Sequence, residues 1–344
     1  VKKKVKVVWL KPAKGNISIG RKLIAEELEK NDFKVEILEC SGIKFFKVIS
    51  HVLRSDFDVV VGTTHLGVVA GGITKLLKKK PFLVDFVDRF SLLKESTPTY
   101  LYPIMYVIIL LEKIAIGIAD AIMVVPGEDY EKFSRERDNV YKVNLCVDLE
   151  RFLHVGEKTI EKAKKILNML GIDLNKPIAV YVGGFTKIYN LDLLIEAMEY
   201  LPDFQLVMIG GGGLENELRT MRKMKNLKNV FFLGYQPNDL VAGFLKLCDV
   251  GISLCEISRQ LKIYEYLATG LKVVVPEKIM ADVDFEFEEY CIGTSLNPED
   301  IARKIEYAAS MPDVDNRKLY KILKKYNCKN VTLKYAYALK SILD

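Results

Sequence analysis

The feature that most constrains this chain is an alternation, run through twice, of short apolar β-branched stretches with amphipathic helical ones. Strand-like runs at 5–10, 34–39, 57–62, 82–86, 120–125 and 140–144 alternate with helical patterns near 18–30, 43–53, 66–78, 98–118 and 127–134. Runs that are apolar on both faces belong in a parallel sheet covered on both sides, and helices at this spacing supply the cover. After a stretch of little regular pattern at about 145–157 the alternation restarts. It gives helix 158–170, strand 177–183, helix 190–200, strand 204–209, helix 214–224, strand 229–233 and helix 238–247, then strand 250–254, helix 261–268 and strand 272–275. At 344 residues the chain also exceeds the size at which one core usually divides. The expected fold is α/β, with two doubly wound parallel-sheet domains at 1–148 and 149–329 facing a cleft. The tail at 330–344, amphipathic through Val331, Leu333, Tyr335, Ala336, Leu339 and Ile342, is expected to pack back on the first domain.

Composition narrows the partners. Half of the residues are hydrophobic, which is ample for two cores, and the charge excess is only +6. Basic residues cluster at Lys2–Lys4 and Lys78–Lys80 without interleaved aromatics, so they read as solvated faces and no nucleic-acid partner is expected. The cysteines Cys40, Cys146, Cys248, Cys255, Cys291 and Cys328 have no CxxC spacing and several lie in apolar runs. They read as reduced core residues of a cytoplasmic protein. His51, His65 and His154 are not paired at ligand spacing, so no metal site is expected. Scarce Gln with abundant Lys, Glu and Ile leans towards a heat-adapted source. The basic start at Val1–Leu10 lacks the apolar run of a signal peptide and reads as a first strand.

The densest chemistry lies in Asp249–Pro276, a strand, loop, helix, turn and strand. Stepping 100° per residue from position 261, Ile263, Tyr264, Tyr266, Leu267 and Ala268 fill most of the helix circumference, and Lys262 and Glu265 share one polar stripe. Gly270 supplies a left-handed stop. Arg259 and Lys262 sit at a helix start, where a cation is unfavourable by about 0.3–1 kcal/mol unless an anion is near. Free backbone N–H groups there bind phosphate, and a carboxylate one turn in accepts hydrogen bonds from sugar hydroxyls. The plain alternative is a solvated Lys262–Glu265 ion pair. Upstream, Tyr181–Asn190 ends a strand and opens a helix, with Gly183 and Gly184 permitting close backbone approach and Lys187 available for phosphate. Gly210, Gly211, Gly212 and Gly213 follow the next strand, and close approach of substrate to bare backbone is expected there. The loop at 11–20 matches no GxGxxG fingerprint, so dinucleotide binding is not expected.

These segments together resemble the retaining GT-B glycosyltransferases of family 4, over nearly the whole chain. Cys146–Phe152 is similar to the family's NGVD-xx-x-F linker, and Gly183–Ala197 to its G-x-x-x-x-x-K-G-x-D-x-L-I-x-A segment. Val207–Leu218 resembles V-G-x-G-x-x-x-x-x-L, Phe231–Tyr235 resembles V-x-F-L-G, and Lys262–Val274 resembles K-x-x-E-Y-x-A-x-G-x-P-V-V. The resemblance implies two Rossmann-like domains and a nucleotide sugar, UDP- or GDP-linked, bound mainly by the second. No tightly bound cofactor is implied. Glu265 matches the second glutamate of the E-x7-E signature, which holds the donor ribose, and Tyr235 would lie near the base. Gly183, Gly184, Gly211 and Gly212 would surround phosphate and sugar, with Arg259, Lys262 and Ile263 at the helix start. The arginine and lysine that clamp pyrophosphate in the family fall at Gly184 and Tyr189, so Lys187, Arg259 or Lys262 must replace them. The first signature glutamate falls at Ile257, with Glu256 one position off.

On the first domain Asp85 and Asp88 end a strand and resemble the family's acceptor-side segment, which implies that they orient an acceptor hydroxyl; the plain alternative is a helix cap or an ion pair with Arg89, and His65 reads as structural. The Tyr100–Ile118 segment reads as a core helix by default, and the uncharged run Ser96–Leu111 is short of the roughly 20 residues of a spanning helix. Its alternative is interfacial attachment, with Lys75 and Lys78–Lys80 near anionic headgroups on the inner face of a membrane. The expected activity is hexose transfer to a hydroxyl of a glycan or lipid-linked acceptor, with Glu256, Asp88 and Lys187 as the candidate catalytic groups. A nucleotide-sugar 2-epimerase of the same architecture and a non-catalytic nucleotide-sugar-binding subunit are the rivals.

Overall fold

A computed structural model describes residues 4–12, 16–87, 99–257, 260–280 and 287–343. The chain divides into two compact units, one formed by Val1–Val147 with Lys325–Asp344, the other by Asp148–Lys324. Unit 1 holds a parallel sheet of six strands in the order β2-β1-β3-β4-β5-β6. The strands are β1 (Val5–Lys11), β2 (Phe33–Glu39), β3 (Val59–Thr63), β4 (Phe82–Phe86), β5 (Ala121–Val124) and β6 (Val140–Lys142). Its central strands are buried at every position, as continuous apolar runs require. The leftward step from β1 to β2 places helix Asn16–Glu29 on one face. The rightward steps place helices Phe45–Arg54, Thr64–Lys78 and Tyr102–Gly117 on the other, as right-handed crossovers demand. Helix Cys328–Ser341, capped by the Asn327 side chain, packs beside Asn16–Glu29 and buries Val331, Tyr335, Ala338 and Leu339 in the same core.

Unit 2 holds a second parallel sheet in the order β12-β11-β10-β7-β8-β9. Its strands are β7 (Ile178–Gly184), β8 (Gln205–Gly211), β9 (Val230–Gly234), β10 (Val250–Ile252), β11 (Lys272–Pro276) and β12 (Cys291–Thr294). The last of these carries too short an apolar run, interrupted by Gly293, to be read from the sequence. The order reverses between β7 and β10, which makes the carboxyl ends of these neighbours the switch point where doubly wound sheets bind ligands.

Two expectations are corrected. The cysteines are not all reduced: Cys146 and Cys328 form a disulfide whose Cα atoms lie 4.6 Å apart, while Cys40, Cys248, Cys255 and Cys291 are free thiols. The partners are 182 positions apart, so no local spacing betrays them. With this bond formed, the cysteines no longer argue for a reducing compartment. The second correction concerns the Tyr100–Ile118 segment, which is no core helix. Helix Thr99–Gly117 is 19 residues long and apolar enough to cross a membrane by length and composition, because it runs on through Glu112 and Lys113. Met105, Glu112, Ala115 and Ile116 face the core, and most of the rest is exposed.

Candidate functional site

The site is built at the carboxyl ends of β7, β8 and β10, and its geometry begins with glycine. Gly183 and Gly184 lie opposite Gly210 and Gly211 in register. Gly210 has φ +130°, and a Cβ there would sit 1.9 Å from the Gly183 carbonyl oxygen. A side chain at Gly212 would run into the Phe185 backbone at 2.6 Å. The close approach these glycines permit is thus first of backbone to backbone, which brings two strand ends together. Among the described residues, Gly184 and Gly213 meet nothing within van der Waals reach on their Cβ side except one Thr186 methyl at 4.0 Å.

Helix Leu261–Thr269 starts beside these turns. Gln260 is its N-cap residue in extended conformation, and its side chain makes no capping hydrogen bond. The Gln260 side chain instead braces the preceding loop, donating to the Cys255 and Ile257 carbonyls at 3.1 and 2.9 Å and accepting from the Ser253 hydroxyl at 2.6 Å. Gly270 ends the helix at φ +91°.

Lys262 does not lie in a solvated stripe. It is 3% exposed, and its Nζ sits 4.2 Å from the Tyr181 ring centroid, 3.8 Å from that of Tyr189, and 3.2 Å from the Tyr181 hydroxyl. A Cβ on Gly183 would lie 2.7 Å from the same Nζ, so the lysine points at the end of β7. Burial pushes its ammonium down to about 7, while Cys255 and Glu265 pull the other way. The tyrosine pair offers cation–π attraction in place of a carboxylate. Tyr181 is fixed by donating to the Gly184 carbonyl at 2.8 Å, and the Tyr266 hydroxyl accepts from the Val182 backbone at 2.7 Å.

Glu265 is partly exposed yet ringed closely enough that burial pushes its carboxyl up to about 7; Lys262 and Arg151 pull it down and Asp148 pushes it further up. It makes no hydrogen bond or ion pair with a described residue. The Lys262–Glu265 ion pair of the plain reading is absent among the described residues. What stands at the helix start is a dehydrated cation and, one turn on, a carboxylate with unfilled acceptor capacity.

The other candidates are placed as follows. Tyr235 is 79% exposed, and its hydroxyl donates to the Gly211 carbonyl at 3.1 Å, so its ring stands over the end of β8. Beside it Glu215 pairs with Arg219 at 2.8 Å, and the guanidinium stacks over Phe232 at 4.6 Å. Lys187 is exposed in a short 3-10 turn, Lys187–Tyr189, with no partner among the described residues. The Ile263 side chain is buried at 4% exposure and can serve only through its backbone. Glu256 is exposed and paired with Lys278 at 3.3 Å. Arg259 and Asp88 lie outside the described residues.

Unit 1 removes one further candidate. Asp85 is fully buried, and its carboxylate accepts two hydrogen bonds from Arg21 at 2.6 Å, one from the Thr63 hydroxyl at 2.7 Å and one from the Tyr335 hydroxyl at 2.6 Å. A carboxylate so filled has no capacity left to orient an acceptor hydroxyl. His65 carries strained backbone at φ +21°, and its Nδ1 lies 2.8 Å from an oxygen of the fully buried Glu112. The tyrosine cradle, the Asp85 cluster and the His65–Glu112 pair were missed in the sequence. The only signal for the first is Tyr181 itself, a hydroxyl inside an otherwise apolar strand.

Two parallel doubly wound sheets of six strands each, with these groups at the strand ends of the second, define the GT-B class of fold. Solved structures share it: HepE from Anabaena in complex with UDP and glucose superposes with TM-score 0.74 at 16% identity over 98% of this chain and 100% of that one. Sucrose-phosphate synthase from Thermosynechococcus elongatus superposes with TM-score 0.78 at 15% identity, over 98% and 99%. Within that class, residues 162–329 match the family of glycosyl transferases group 1, so the chain carries a domain of that family, lying almost wholly in unit 2. WcaI of Escherichia coli, named as a glycosyl transferase of colanic acid biosynthesis, is 30% identical over 104 residues, which span 30% of this chain and 25% of that protein.

Proposed function

We propose that this protein is a retaining glycosyltransferase that moves a hexose from UDP- or GDP-sugar to a hydroxyl of a glycan or lipid-linked acceptor. The observation that carries the reading is the placement of Lys262 and Glu265, unbonded to each other, at a helix start whose N-cap side chain makes no capping bond, at the switch point of the unit that matches the family. Glu265 has two acceptor oxygens for the ribose hydroxyls of a donor. The exposed Tyr235 ring supplies a platform for the base. Leaving-group charge on the nucleoside diphosphate is taken up by the first N–H groups of the 261–269 helix, by Lys262 and by Lys187, the electrostatic term that usually contributes most to such reactions. No protein nucleophile is required, since the acceptor hydroxyl attacks the face the diphosphate leaves, and Asp88 of unit 1 is our candidate for holding it. The fourfold saturation of Asp85 excludes that neighbour from the task.

Glu265→Ala tests the reading directly. It is expected to weaken UDP or GDP binding at least about tenfold, roughly 1.4 kcal/mol, with the fold unchanged because the side chain makes no hydrogen bond or ion pair with a described residue. Equal nucleotide affinity of variant and wild type by calorimetry would overturn the assignment. Fold alone does not separate transfer from isomerisation. An isomerised sugar formed from donor alone, or tight donor binding without turnover on any acceptor, would replace transfer by the epimerase or the binding-subunit reading.

A further inference from the structure

We propose that the helical face of unit 1 formed by Phe45–Arg54, Thr64–Lys78 and Tyr102–Gly117 docks on an anionic lipid surface. The proposal stands on that face alone and does not require the transfer reading.

Helix Tyr102–Gly117 turns its apolar side outwards. Ile104, Val107, Leu110 and Ile114 recur at helical spacing and are each more than half exposed. The opposite side holds Met105, Glu112, Ala115 and Ile116 against the sheet. The neighbouring helix touches it where Gly72 meets Ala115, so Leu76 and Leu77, one turn further along and also more than half exposed, emerge next to its C-terminal end. A monomeric soluble surface seldom gathers this many large apolar side chains in one place. Tyr100 and Tyr106 at the start of the segment are exposed aromatics with a polar tip, the type enriched at lipid–water boundaries.

Charge selects the occupant. Across 42–55, 64–80 and 99–117 the basic residues are Lys44, Lys47, Arg54, Lys75, Lys78, Lys79, Lys80 and Lys113, and the acid within these spans is Glu112. Lys75 is paired with Asp120, just past the last helix, and Lys78 donates to the Leu53 and Ser55 carbonyls, so the positive excess of the face comes from the other basic residues. Glu112 is fully buried on His65 and shows the surface no charge. The acidic helix Glu128–Glu136 lies beyond, and bounds the face on one flank. A second copy docking through this patch would place lysines against lysines, since a two-fold interface meets itself. A bilayer with anionic headgroups satisfies both features, taking the apolar stripe into the acyl boundary and the lysines at the headgroups. The helix does this lying in the interface, with its buried edge still in the unit 1 core.

The test is co-sedimentation of the whole chain with vesicles of phosphatidylcholine alone and of phosphatidylcholine mixed with phosphatidylglycerol. Wild type is expected to bind the anionic vesicles at low salt and to be released as salt rises. The pair Leu110→Glu and Ile114→Glu should weaken this at least about tenfold, and Lys79→Gln with Lys80→Gln and Lys113→Gln should weaken it on anionic vesicles. Leu110, Ile114, Lys79 and Lys113 are exposed and Lys80 is half-buried, and an unchanged thermal midpoint verifies that both variants fold. Failure of wild type to bind, or equal binding by the Leu110/Ile114 variant, overturns the proposal. Self-association that the same two glutamates abolish, without vesicle binding, assigns the face to a second copy and also overturns it. Donor affinity, measured in parallel, reports on unit 2 and keeps the two proposals separable.

Discussion

At the scale of single residues, Lys262 is the informative one. Its side chain is long enough to reach solvent, yet it lies between two tyrosine rings at the end of a strand, and dehydration depresses its ammonium to about 7. At pH 8 it is therefore mostly neutral while Glu265, also near 7, is mostly ionised. An arriving diphosphate favours the charged lysine and raises its pKa, so binding takes up a proton. Calorimetry of UDP or GDP binding at pH 8, in buffers of different ionisation enthalpy, is expected to show uptake approaching about one proton per nucleotide. Lys262→Met should abolish it. Proton release, or uptake retained in the methionine variant, would remove Lys262 from the diphosphate. The chemistry of Lys262 and Glu265 was readable from their spacing on a helix. Their separation was not, because the cradle comes from Tyr181 and Tyr189, some eighty residues earlier.

Between elements, the same lesson holds in unit 1. Asp85 ends β4 as an apparently available strand-end acid, and the residues that occupy it arrive from helices at opposite ends of the chain, Arg21 early and Tyr335 late. This buried cluster ties β4, β3 and two helices of the same face into one core, with Trp9 donating to Thr63 at 2.8 Å. Tyr335→Phe removes one donor from a buried carboxylate and should cost unit 1 about 1–2 kcal/mol in urea unfolding. Donor affinity should not change, since the proposed donor site lies in unit 2; a fall in nucleotide binding would show the cluster to have a reach we do not give it. Helix limits were legible only in part: the Gly270 stop was read from the sequence, whereas the helix read from 330 starts at Cys328. Asn327 caps its helix and Gly270 ends another, as residue types with those backbone and hydrogen-bonding capacities do. The short strand β12 was lost because four residues carry little period.

For the molecule as a whole, unit 2 is an insertion in unit 1, and the chain passes between them at 147–148 and again at 324–325. The Cys146–Cys328 bond and the bridge between Val147 and Asn327 join these passages on the unit 1 side. The bond closes a loop of 182 positions, so its main effect is to restrict the unfolded chain. Cys328→Ser is expected to lower stability by about 2–4 kcal/mol, seen as a lower thermal midpoint that reductant does not lower further. A midpoint equal to that of wild type would show that the return of the tail is held by packing alone.

Periodicity is a local property, and so the sequence by itself determined the two parallel α/β sheets, most of their strands, the helix that bears Lys262 and Glu265, and the glycine-rich strand ends. Burial and pairing depend on what distant segments bring, and these only the tertiary structure decided. It moved Lys262 out of solvent, filled Asp85, joined Cys146 to Cys328, and turned the apolar side of Tyr102–Gly117 outwards. The physical reason is the same in each case. A side chain's environment is a sum over neighbours tens to hundreds of residues away, and a hydrophobic pattern records which face is apolar without recording what covers it.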